Sequence, residues 1–253
     1  MSRNFEVLRR LEQEQSSRDG NNVEAPFRSR PFPSVKADAE LPRTNARLTA
    51  AVNKLVQRIF VLPGVGAPRA VAFASIENRA EPDFIAARAA EVLASQSRLS
   101  VCIVDANFEN PSVHECFGIA NTEGLSDSLA DSMPAVEFGH RVPGLELVVI
   151  PTGRVGPNTE RQAASDKAAQ RITELRTQFD FVLVNAPPLR SAGPALFLGR
   201  LSDGLVMIVE AHSTKRDIAM VVKEELERAH VRLLGAVLNN RTYPIPQRLY
   251  SRL

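Results

Sequence analysis

Apolar positions near the start of the chain recur at three-residue spacing, with Phe5, Leu8 and Leu11 separated by Arg and Glu. That period predicts a short amphipathic helix over residues 1–15, too short to hold alone in water, so it forms on docking to something. Residues 16–45 contain four Pro, several Ser, Gly and Asn, and many charges without sustained periodicity, which reads as a flexible linker. Helical character resumes over residues 46–60, where Leu48, Val52, Leu55, Val56 and Ile59 share one broad face, and a turn follows at Leu62-Pro63-Gly64.

From residue 70 the pattern changes to short β-branched runs, at 70–75, 101–105, 145–150, 181–185, 205–209 and 233–238, with helical stretches near 84–95, 159–178 and 214–229. The runs are apolar on both parities, as strands covered on both faces are. Alternating strands and helices imply βαβ units with right-handed crossovers. The expected fold is therefore α/β, a parallel sheet flanked by helices on both faces, occupying residues 46–253. Ligands in such sheets bind at the carboxyl ends of the strands, so the residues just after each run are the ones to read for chemistry.

Composition narrows the function classes. The 253 residues are 44% hydrophobic and 24% charged, which excludes a wholly disordered chain. No apolar run is long enough to span a bilayer, and the opening residues lack the apolar core of a signal peptide. Cys102 and Cys116 give neither metal-ligand spacing nor a disulfide framework, so no metal is expected and the cytoplasm is the default compartment. A net charge of +2 is too small to indicate nucleic acid. Residues 1–58 hold 11 Lys+Arg against 7 Asp+Glu. Such an arm reads either as a solvated tail or as a peripheral contact with an anionic membrane surface or acidic partner.

Three segments at the strand ends carry the chemistry. The second run ends Asp105-Ala106-Asn107-Phe108-Glu109-Asn110-Pro111-Ser112-Val113-His114, followed by Cys116-Phe117-Gly118. Gly124-Leu125-Ser126-Asp127 comes next, and later Asp180-Phe181-Val182-Leu183-Val184-Asn185-Ala186-Pro187-Pro188. In these motifs and their spacing the chain resembles the bacterial tyrosine kinases of capsule and exopolysaccharide synthesis, of the P-loop superfamily that also holds partitioning and division-site ATPases. The resemblance covers roughly residues 46–253, and the opening Met1–Arg10 segment also looks like the amino-terminal helix of some members. It implies a P-loop NTPase-like, three-layer α/β/α fold and partners in polysaccharide export: a membrane-associated export or chain-length-control protein, or a competent kinase.

Such kinases cradle phosphates with a Gly-rich loop ending in Lys and Ser/Thr, and hold Mg²⁺ with acids at two other strand ends. At the loop positions this chain has Arg79, Ala80, Glu81, Pro82, Asp83 and Phe84. Loss of both Gly removes the close phosphate approach, and Pro82 deletes a charge and a backbone donor together. Glu81 and Asp83 put carboxylates where phosphates would lie, at a cost on the order of 4 kcal/mol per like-charge contact near 4 Å. Of the metal-site acids Asp105 remains, whereas Asn107 and Asn185 stand at acid positions and supply no charge. Asp105 can also be read as the cap of the following turn. Asn239 matches the position that meets adenine in the superfamily, or is a strand-end turn residue. The family's oligomerisation motif would fall on Ala50, Asn53 and Val56, none of which matches, so its ring assembly is not carried over.

The two tyrosines, Tyr243 and Tyr250, lie where the family carries its autophosphorylated ones. They read either as phospho-acceptors or as part of an apolar tail with Ile245, Leu249 and Leu253. The four His, His114 among them, read as structural or solvated, and Gly64-Val65-Gly66 as a turn. The expectation is a catalytically impaired, kinase-like regulatory or scaffold subunit with no catalytic residues and no cofactor. The alternative is an active tyrosine autokinase or ATPase of the same pathway, using ATP and Mg²⁺ through non-standard residues.

Overall fold

The computed structural model describes residues 46–63, 66–78, 84–96, 99–131, 133–156, 164–191 and 193–240, with 159 and 162. The amino-terminal helix, the linker, the phosphate-loop positions 79–83 and the tail beyond residue 240 lie outside the described residues. Helix α1 (Ala46–Val56) continues through a π-helical turn at Gln57–Val61, then come β1 (Ala70–Ser75), α2 (Ile85–Gln96) and β2 (Val101–Asp105). The short helices α3 (Val113–Cys116) and α4 (Leu125–Ala130), β3 (His140–Arg141) and β4 (Leu147–Ile150) follow. The remainder is α5 (Asp166–Gln178), β5 (Phe181–Asn185), α6 (Gly193–Leu201), β6 (Gly204–Glu210), α7 (Arg216–Arg228) and β7 (Leu233–Asn239).

The strands form one sheet in the order β3-β4-β2-β5-β1-β6-β7, parallel except for the β3–β4 pair. Every residue of β2, β4 and β5 is buried, so both parities had to be apolar. One face packs Ala70, Ala72, Cys102, Val104, Val182 and Val184 under α4–α7. The other packs Val71, Phe73, Val101, Ile103 and Leu183 under α1 and α2, where Phe60 meets Phe181 edge to face at 5.5 Å. Truncating a fully buried side chain such as Leu183 to Ala costs about 2–5 kcal/mol. Gly204 is required where β6 passes β7, because a Cβ there would sit 2.6 Å from Leu234 Cγ and 2.7 Å from the Arg232 carbonyl.

Several boundaries differ from the pattern in the sequence, each for a local reason. The strand expected from residue 145 starts at Leu147, because Gly144 at φ +77° and a Leu145 N–H to Val142 O bond make a turn first. Of the helix expected over 159–178, Thr159 and Gln162 are helical, and a separate helix runs from Asp166 to Gln178, where the Ser165 hydroxyl accepts from the Ala168 N–H and caps it. Helix α6 has no counterpart in the expected set. Its Gly193-Pro194 opening reads as a breaker, yet Pro in a first turn removes only an N–H that has no helical partner.

Candidate functional site

The carboxyl ends of β1, β2, β5 and β6 converge on one edge of the sheet, and the side chains there are tied to one another. Asp105, the last residue of β2, is completely buried. Its Oδ1 accepts from the Asn107 N–H at 3.1 Å and from Asn185 Nδ2 at 2.9 Å, and its Oδ2 from the Ser112 and Val113 N–H groups at 3.0 Å each. Two donors per oxygen fill the acceptor directions of a carboxylate. Burial pushes the Asp105 carboxyl up from its ordinary value, against the Val113, Ser112, Asn185 and Asn107 donors that pull it down. All four neighbours donate, so the ionised form is the one this nest fits.

Asn185 sits beside Asp105 because β5 and β2 pair in register. An acid at 185 would face Asp105 across the same gap, whereas the amide bridges it. Asn107 turns back on its own loop, its Oδ1 accepting from Asn110 N–H at 3.2 Å. Asp105 thus caps the turn into α3 and stands beside Asn185. Of the remaining candidate positions, Arg79, Glu81, Pro82, Asp83, Tyr243 and Tyr250 lie outside the described residues. Asn239 is the last residue of β7, 3.4 Å by its Nδ2 from Glu210 Oε2, and the turn residue is Asn240, at φ +52°.

Sequence reasoning passed over the ties across the top of β1. Glu77 Oε1 lies 3.7 Å from Arg190 Nη1 after β5, and its Oε2 accepts from Ser213 Oγ after β6 at 3.4 Å. Asn78 Nδ2 reaches Glu109 Oε2 at 3.3 Å in the loop after β2. These partners are 31 to 136 residues apart, so no local pattern marks them.

The Gly124-Leu125-Ser126-Asp127 segment proves to be a docking turn. Asp127 Oδ2 accepts from Gly124 N–H at 2.8 Å, while the Leu125 and Ser126 N–H groups donate to the Pro151 and Thr152 carbonyls at 2.9 Å. Gly153, at φ +79°, lies so close to Gly124 that a Cβ would sit 2.6 Å from the Gly124 nitrogen. His114 Nδ1 is buried with no hydrogen-bond partner among the described residues. Cys102 and Cys116 are buried free thiols, both pushed well up by burial. Among the described residues no group of three or more His, Cys, Asp or Glu is placed to hold a metal ion, and no helix is long and apolar enough to cross a membrane.

No protein-family model matches the chain. Over 156 residues it is 29% identical to the tyrosine-protein kinase YwqD of Bacillus subtilis, covering 62% of this chain and 65% of that protein. Over 145 residues it is 26% identical to the putative tyrosine-protein kinase CapB of Staphylococcus aureus, covering 57% of this chain and 64% of that protein. The chain thus spans just under two thirds of the length of these relatives. Among solved structures, the chimerical protein CapA2B2 superposes with a TM-score of 0.72 at 22% identity, over 84% of this chain and 93% of that one. The kinase domain of the Escherichia coli tyrosine kinase ETK gives 0.66 at 21%, over 87% and 85%. The septum site-determining protein MinD of Pyrococcus horikoshii, complexed with Mg-ADP, gives 0.57 at 19%, over 73% and 76%. The expected P-loop NTPase-like fold is present, and the chain's sequence relatives are bacterial tyrosine-protein kinases.

Proposed function

We propose that this relative of bacterial tyrosine-protein kinases works as a catalytically impaired, kinase-like regulatory or scaffold subunit of exopolysaccharide or capsule synthesis and export. One observation carries the reading. The Asp105 carboxylate spends both oxygens on four N–H donors, one of them the amide of Asn185 at 2.9 Å. Position 185 therefore supplies a donor to its neighbour where a Mg²⁺ site needs a second oxygen anion. In the sequence, Glu81 and Asp83 stand at the positions where the kinases carry their phosphate loop, and would set negative charge against a triphosphate. These residues do not fit a Mg²⁺-nucleotide, and no transfer step is assigned to them.

The retained fold then serves recognition. The expected partners are a membrane-associated polysaccharide export or chain-length-control protein, or a competent kinase, with residues 1–45 as the docking arm. Isothermal titration of the full chain with ATP, with and without Mg²⁺, is expected to show no Mg²⁺-dependent binding. Incubation with ATP and divalent metal is expected to leave Tyr243 and Tyr250 unlabelled by mass spectrometry. Micromolar Mg²⁺-dependent binding, or labelling lost in the Tyr243→Phe, Tyr250→Phe variant, would establish the autokinase reading in its place.

A further inference from the structure

The two edges of the sheet are built differently. At one end β3 has two residues, His140 and Arg141, and Arg141 lies 3.7 Å from Glu146, so that edge is short and charged. At the other end β7 runs for seven residues, Leu-Leu-Gly-Ala-Val-Leu-Asn, without a charge or a Pro. Among the described residues nothing pairs with its outer side. The Asn239 carbonyl accepts from Ala211 N–H, so in a ladder that alternates by residue Val237 faces β6 and Ala236 and Leu238 aim their N–H and C=O groups outward. Leu238 is 51% exposed. The register of β7 against β6 slips once, at Leu234, and from Gly235 to Asn239 the described edge carries no charge and no Pro.

The charge pattern of α7 identifies what fits this edge. A right-handed crossover from β6 to β7 turns toward the outer side of β7 the helix flank that carries Arg216, Met220, Lys223 and Glu227. Along that flank Arg216 stands at the helix start and Glu227 near its end, where Glu227 also pairs with Lys223 Nζ at 2.6 Å, while Asp217, Glu224 and Arg228 lie on the opposite flank. A second copy of the same helix, laid alongside antiparallel, meets this polarity with its own: Arg216 faces Glu227 of the second copy, and Glu227 faces its Arg216. Met220, 47% exposed, then lies against the aliphatic stem of Lys223 of the second copy.

We propose that the chain forms a two-fold dimer through β7, the two sheets joining antiparallel about an axis at Val237. Ala236 exchanges both backbone hydrogen bonds with Leu238 of the second copy, and Leu238 with its Ala236. The same axis sets the two α7 helices antiparallel on one face, so edge pairing and charge pairing come from one operation.

Sedimentation of the full chain at micromolar concentration is expected to give twice its 27.7 kDa mass. Leu238→Lys is expected to return it to a single chain. Ala236→Pro, which removes only an outward N–H, is expected to do the same with an unchanged far-ultraviolet dichroism spectrum. Arg216→Glu and Glu227→Arg are each expected to weaken the dimer at least tenfold, whereas an equimolar mixture of the two variants recovers it, because each cross-pair is again opposite in sign. A monomeric parent chain, a larger assembly, a dimer indifferent to both edge variants, or a mixture no tighter than either variant alone would each overturn the proposal.

Discussion

At position 185 one atom decides the electrostatics of the strand-end cluster. The amide donates to Asp105 at 2.9 Å, and a carboxylate in its place would confront a buried like charge at that separation. Asn185→Asp is expected to destabilise the fold by roughly the 4 kcal/mol of a like-charge contact at an effective dielectric of 20. For a chain of this size that is about 8–16 °C in Tm. One member of the new pair would have a raised pKa, so the penalty is present above that pKa and is relieved as pH falls and the proton is taken up. Thermal melts should therefore show a larger loss at pH 8 than at pH 5, and millimolar Mg²⁺ should restore part of the Tm in the variant and none in the parent. Equal loss at both pH values would mean the cluster is not electrostatically coupled. Asp105→Asn, which leaves N–H donors facing an amide, is expected to cost about 2–3 kcal/mol.

How much of this cluster was legible in the sequence follows from distance along the chain. Asp105, Ser112 and Val113 fall within one motif, so a capping role could be read from it. Asn185 was legible by its position after an apolar strand, and the register of β5 against β2 then brings it to Asp105. The Glu77–Arg190 and Glu77–Ser213 ties were not legible, since they depend on which strands become neighbours in the sheet and on the loops that follow them.

The elements are held at the opposite end of the sheet by a second polar set. Asp203, between α6 and β6, accepts from the Arg69 and Ala70 N–H groups at 2.7 and 2.8 Å and from Arg176 Nη2 of α5 at 2.6 Å. Arg176 also donates to the Leu201 carbonyl at 2.9 Å, and Arg69 to the carbonyls of Asp180 and Phe179. One carboxylate thus fixes the starts of β1 and β6 to the ends of α5 and α6. Burial pushes the Asp203 carboxyl up, but the Ala70 amide, Arg176 and the Arg69 amide outweigh it and hold it below the ordinary range. Its contribution is therefore complete above the unfolded carboxyl pKa of about 4 and is lost as pH falls through the lower folded value. Asp203→Asn is expected to lower stability by about 2–3 kcal/mol at pH 7. In denaturant titrations the gap between parent and variant should narrow below about pH 4. A gap of constant size down to pH 2 would assign the loss to packing. On β3, burial lowers the His140 pKa, so stability from that residue falls as pH drops through about 6.5, a separate window. At this scale the apolar strands were legible because both parities had to be buried. The two-residue β3 and the Pro-opened α6 were not, because tertiary packing creates them and their local pattern does not.

Across the whole molecule the strand-end chemistry is spread over loops that follow β1, β2 and β5, and this sets what any attempt to restore it must meet. In the reading proposed above, positions 79–84 lack the Lys and both Gly of the kinase pattern, and carry Glu81 and Asp83. The loop after β2 has Asn107 folded back on Asn110, and β5 ends in the amide that holds Asp105. Pro82→Lys returns one cation to one loop and leaves the two like-charge carboxylates, each opposing a phosphate by on the order of 4 kcal/mol. The gain from a single charge-assisted contact is about 1.5–3 kcal/mol, smaller than either opposing term. Titration calorimetry of Pro82→Lys with Mg²⁺-ATP is accordingly expected to match the parent. A chain that also carries Arg79→Gly, Glu81→Gly, Asp83→Thr, Asn107→Asp and Asn185→Asp removes the repulsion and supplies both acids. It is expected to gain Mg²⁺-dependent binding only when all three loops are changed together. Binding recovered by Pro82→Lys alone would show that the loops do not act as a unit, and would move the reading toward an active kinase.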